Sequence, residues 1–100
     1  MELDALREKI DAVDETMLAL FLKRMELSGQ VAAYKREHAL PLLNKTRERE
    51  ILARVTQNAG ELEPYVHQFF TNLFELSKAR QGELNAGASR IRALIEQALA

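Results

Sequence analysis

The chain is 100 residues long, 47% hydrophobic and 29% charged, with fourteen Lys plus Arg against fifteen Asp plus Glu for a formal net charge of -1. That balance excludes the global basic field that nucleic acid or an anionic membrane would call for, so any anion site has to be local. The absence of cysteine rules out a disulfide framework and thiolate metal sites, no apolar run nears the roughly 20 residues of a membrane span, and the expected location is the cytoplasm.

A single small domain is expected, and at this size a monomeric core is marginal, a weakness that oligomerisation relieves. A first helix is predicted from about Leu3 to about Glu37, with Asp4 as its N-cap and no Gly or Pro before Gly29. At ~1.5 Å per residue it would be roughly 50 Å long, so it must lean on another chain or project from the fold. Leu6, Ile10, Val13, Met17, Leu20, Arg24, Leu27, Val31 and Tyr34 follow at alternating steps of four and three, an apolar seam that one guanidinium interrupts. Burying Arg24 unpaired would be costly. It is therefore solvated, paired with a Glu of a neighbouring helix, or answered by a bound anion.

Lys35 follows Arg24 by eleven residues, which puts it ~20° around the helix and ~16 Å along it, within reach of a shared small ligand. Arg7 precedes Arg24 by seventeen, ~25 Å away and ~100° around, and cannot join that site on a straight helix. It is either a surface arginine or the contribution of a second copy packed antiparallel along the seam.

Pro41 ends the first helix, and Asn44 is the predicted N-cap of a second running to about Gln57, with Glu48, Ile51, Leu52 and Val55 along it. The stretch Asn44-Lys45-Thr46-Arg47-Glu48-Arg49-Glu50 is a charge run, usually a solvated face. Arg47 lies in a first turn, where the helix dipole disfavours a cation unless a carboxylate offsets it. Asn58-Ala59-Gly60 closes the helix with residues that tolerate positive φ. Pro64 suits the first turn of a third helix with the stripe Val66, Phe69, Phe70, Leu73 and Leu76, which Ser77 and Gln81 extend with polar groups. Those two are read either as a capping or buried amide network or as part of a site. Gly82 and Asn85-Ala86-Gly87 predict a break before a short amphipathic piece with Ile91, Leu94, Ile95 and Ala98. The class is all-α: three helices with a very long first one.

His38 and His67 are isolated and read as surface or core-rim residues, and no nucleophile motif or glycine-rich phosphate loop is present. What remains is a set of cations and hydrogen bonders suited to positioning and stabilising a bound anion. Several converging cations suit a polyanionic small molecule, with Arg favoured for carboxylates.

Taken together, Leu6-Arg7-Glu8-Lys9-Ile10-Asp11, Leu22-Lys23-Arg24-Met25-Glu26-Leu27, Val31-Ala32-Ala33-Tyr34-Lys35, Arg47-Glu48-Arg49-Glu50, and Ser77 with Gln81 resemble the all-helical AroQ class of chorismate mutases. The likeness covers roughly residues 3 to 83. It implies a mutase domain over 1–83, with 84–100 a C-terminal helical extension or linker. It further implies an intertwined homodimer in which each site borrows one arginine, Arg7, from the other subunit. The implied reaction is the Claisen rearrangement of chorismate to prephenate, in phenylalanine and tyrosine biosynthesis, with no cofactor, no metal and no covalent intermediate.

By that resemblance Arg24 and the second copy's Arg7 hold the two carboxylates, and Lys35 and Gln81 donate to the ether oxygen. Glu48 accepts from the ring hydroxyl, Arg47 supports the site and a carboxylate, and Ser77 completes the wall. Asn44 stands where much of the family carries aspartate, and the resemblance implies that this position meets the ring hydroxyl through its backbone. The competing readings are an isochorismate-pyruvate lyase on the same fold and a non-catalytic helical dimerisation or ligand-sensing module.

Overall fold

A computed structural model describes residues 2–99; the side chains of residues 88, 89, 91 and 92, and with them Ile91 of the expected stripe, lie outside the described set. The described residues form α1 (Glu2–Glu37), α2 (Lys45–Gln57), a 3-10 turn (Gly60–Leu62) and α3 (Glu63–Leu99), with no strand among them. The fold is all-α, and the 3-10 turn adds a short element that the patterning did not predict. No helix among the described residues is long and apolar enough to cross a membrane.

α1 is already helical at Glu2, which places Asp4 inside the first turn and corrects its expected role as N-cap. Glu2 and Asp4 there still face the positive end of the helix dipole. The other end of α1 closes in a Schellman motif, with the Leu40 N–H donating to Lys35 O at 2.7 Å and the Ala39 N–H to Arg36 O at 3.3 Å. The left-handed position of that motif belongs to Ala39, at φ +54°. It reverses the chain and sends residues 40–44 back along the last turn of α1.

Asn44 caps α2 as expected, its Oδ1 accepting from the Arg47 N–H at 3.0 Å. At the far end Asn58 keeps a negative φ of -101°, and Gly60 alone takes the positive value, +58°. Pro64 occupies the first turn of α3, where its missing N–H costs nothing.

α3 then runs without interruption through Gly82 and Asn85-Ala86-Gly87, contrary to the expected break. A helical glycine costs only about 1 kcal/mol against alanine, and packing on the end of α1 outweighs it. Arg36 Nη1 donates to Asn85 Oδ1 at 3.0 Å. Gly29 lets the helices approach so closely that a Cβ there would lie 3.3 Å from Leu84 Cδ1.

α3 packs against both α1 and α2, and the molecule is a flat slab of 68 × 33 × 15 Å. Its radius of gyration, 18.7 Å, exceeds the about 13 Å of a globular chain this long. Among the described residues only Ala32, Phe74, Ser77 and Gln81 are buried, and two of the four are polar. The seam of α1 lies open: Ile10, Val13 and Leu20 are 58%, 60% and 65% exposed. An apolar cleft of about 680 Å³ separates Met17, Leu18 and Phe21 of α1 from Phe69, Phe70 and Leu73 of α3.

Candidate functional site

Three helix faces converge on one cleft of about 340 Å³. α1 supplies Arg24, Leu27, Ser28, Val31 and Lys35, α2 with its cap supplies Asn44, Arg47, Glu48 and Ile51, and α3 supplies Phe74, Ser77, Lys78 and Gln81. Each set follows helical spacing, in steps of three and four, so each is one stripe of its helix. Leu42, in the segment that the Schellman turn sends back, closes one end.

Arg24 does not point into open solvent. Its Nη1 donates to Ser77 Oγ at 2.8 Å, and its guanidinium lies 5.8 Å from the centroid of the Phe74 ring, a cation–π distance. Ser77 Oγ in turn donates to Met25 Sδ at 3.9 Å. Lys35 Nζ donates to Leu42 O at 2.9 Å, and Gln81 Nε2 to Ser28 O at 3.2 Å. These three donors are thus held by neutral acceptors, a hydroxyl and two backbone carbonyls. Among the described residues neither Arg24 nor Lys35 meets a carboxylate within ion-pair distance, so their charge stays available to a ligand.

The other charges are matched. Arg47, half exposed at the rim, sits 3.7 Å from Glu50, which offsets its unfavourable place at the helix start. Glu48 Oε1 lies 3.5 Å from Lys78 Nζ, and Lys78 also reaches Glu75 Oε1 at 2.9 Å. The hydrogen bond from Glu75 foremost, aided by the Glu48 charge and opposed by burial, holds the Lys78 ammonium above the ordinary lysine value.

Of the eight residues singled out from sequence, seven line this cleft: Arg24, Lys35, Asn44, Arg47, Glu48, Ser77 and Gln81. Arg7 does not; it is exposed on α1, ~25 Å toward the N-terminus of the helix from Arg24. Sequence reasoning missed Phe74 and Lys78, although the i, i+3, i+4, i+7 arithmetic that pairs Ser77 with Gln81 also includes both. His38 and His67 are exposed, as expected, and His38 Nδ1 lies 2.8 Å from Tyr34 O with the two rings stacked. Among the described residues no three His, Cys, Asp or Glu side chains gather as metal ligands would.

Such a cleft can grip a compact dianion and place an ammonium and an amide donor on the same ligand. Comparison with known proteins points the same way. Residues 6–82 match the family model described as chorismate mutase type II. The chain is 41% identical over 61 residues to the T-protein of Enterobacter agglomerans, covering 61% of this chain and 16% of that protein. It is 39% identical over 72 residues to the bifunctional chorismate mutase/prephenate dehydratase of Escherichia coli K12, covering 72% of this chain and 18% of that one. Against the 4-amino-4-deoxychorismate mutase of Streptomyces venezuelae it is 29% identical over 75 residues, which cover 75% of this chain and 72% of that protein. The chain spans less than a fifth of the length of the first two relatives.

Proposed function

The chain belongs to the type II chorismate mutase family, and from that premise we propose that it converts chorismate to prephenate, a step toward phenylalanine and tyrosine. The observation that carries the proposal is the convergence of Arg24, Lys35, Ser77 and Gln81 on one cleft, with the two cations left uncancelled. The reaction breaks the ether C–O bond as a C–C bond forms, and no proton changes hands. Negative charge gathers on the ether oxygen in the transition state. An ammonium from Lys35 and an amide N–H from Gln81 placed there favour the transition state over the ground state. Arg24 on one carboxylate, with Arg7 of a second copy on the other, restricts the substrate to its compact reactive conformer. Glu48 accepts from the ring hydroxyl, the backbone at Asn44 meets the same group, and Arg47 supports the rim.

The homodimer is part of this proposal. A slab with four buried residues among those described and an open apolar seam calls for a second copy, and α1 pairing along that seam would bring a distant Arg7 to the cleft.

A direct assay of chorismate loss and prephenate formation tests the reading, with Lys35→Ala as the partner variant. The wild-type protein should turn chorismate over, and the folded variant should lose on the order of 10² or more in kcat. Wild-type protein that binds chorismate and leaves it unchanged would instead favour a ligand-sensing module. Pyruvate released from isochorismate, with no prephenate from chorismate, would favour the lyase.

A further inference from the structure

The corner of the cleft around Glu48 differs electrically from the rest. Among the described lining residues Glu48 is the one carboxylate, set against Arg24, Lys35, Arg47 and Lys78. Lys78 reaches it from the facing helix at 3.5 Å and is itself braced by Glu75 at 2.9 Å. The neighbouring cap residue, Asn44, is neutral and spends its Oδ1 on the Arg47 N–H. A group arriving at Glu48 therefore meets a carboxylate whose charge is already answered from one side.

We propose that Lys78 is a specificity-determining residue: by engaging Glu48 it tunes the cleft to a neutral ring hydroxyl and against a ring ammonium. The inference rests on the reading that Glu48 faces the ring substituent of the substrate. A hydroxyl needs one acceptor lone pair and brings no charge, so it shares Glu48 with Lys78 at no electrostatic cost. The amino counterpart of the same dicarboxylate is a primary aliphatic amine, cationic at neutral pH. It would compete with Lys78 for the same carboxylate and be repelled by it at close range. Lys78 keeps its proton throughout the neutral range, so the discrimination is constant there.

The test compares kcat/KM for chorismate and for its 4-amino counterpart in the wild type, Lys78→Met, Lys78→Arg and Glu75→Gln. Arg80→Met removes a charge from the outer side of the same helix, where Arg80 pairs with Glu83, and serves as control. Lys78→Met should raise the preference for the amino substrate over chorismate on the order of tenfold, Lys78→Arg should hold it near wild type, and Arg80→Met should leave it unchanged. Glu75→Gln, which frees Lys78 for Glu48 alone, should move the preference the opposite way. A folded, active Lys78→Met enzyme with the wild-type ratio overturns the assignment. Should that variant fail to fold, an unchanged or raised ratio in Glu75→Gln overturns it instead. Wild-type protein inert toward chorismate brings down the parent reading, whereas an active wild type with unmoved ratios brings down Lys78 alone.

Discussion

Gln81 is only 7% exposed, and its amide has two N–H groups, one of which the Ser28 carbonyl accepts. The second is free to meet an ether oxygen. A glutamate in its place would be buried beside that carbonyl, which raises its pKa above the ordinary carboxylate range. Only its protonated form could donate at all. Gln81→Glu should therefore be slow at neutral pH and gain turnover as the pH falls from about 8 to about 5, while the wild type stays level over the same range. The kcat–pH profiles of the two proteins decide the matter, and a level profile in the variant would remove Gln81 from the ether contact.

The same residue marks how far single positions were readable. Ser77 and Gln81 stood out because polar groups prolonged an apolar stripe. Phe74 and Lys78 passed unnoticed because a core aromatic and a helix lysine look ordinary until α2 is seen packing across them. Arg24 was legible as an anomaly in the seam, but its partner, a hydroxyl fifty-three residues away, was not.

At the scale of elements, Pro41, Asn44 and Pro64 located the ends of α1, α2 and α3 to within a few residues. The continuity of α3 was hidden, since Gly82 and Gly87 are local punctuation and the contacts from Gly29 and Arg36 that override them are not local. The Schellman turn was hidden for a related reason: its usual marker is glycine or asparagine, and here alanine holds the left-handed position. That choice strains the backbone at the turn that delivers the Leu42 carbonyl to Lys35. Ala39→Gly should relieve it and raise the unfolding free energy by about 1 kcal/mol, read as a higher urea midpoint at unchanged slope. A lower midpoint would mean that the turn tolerates alanine without strain and that the added chain freedom dominates.

At the scale of the molecule, the flat shape and the open seam define what one chain lacks. Of the two arginines that line the cleft, Arg47 is already paired with Glu50 and Arg24 meets no carboxylate among the described residues, while Arg7 lies exposed along the same helix as Arg24. Arg7→Ala and Arg24→Ala proteins should each be inactive alone. Mixed under conditions of demonstrated subunit exchange, they should regain activity, because each mixed dimer rebuilds one complete site. Exchange without recovery would return Arg7 to the solvent-facing role. The length of α1 and the seventeen-residue offset of Arg7 from Arg24 lead from sequence to the expectation of a second copy packed antiparallel along the seam, and subunit exchange is the measurement that tests it.

The two uncancelled cations have a further consequence for the resting protein. Arg24 and Lys35 lose part of their hydration on folding and gain only neutral contacts in return. The native state therefore carries that desolvation cost until an anion arrives, and occupancy feeds back on folding itself. An anion bound in the cleft would thus double as a stabiliser, and the fraction of molecules held in the native basin should rise and fall with its supply.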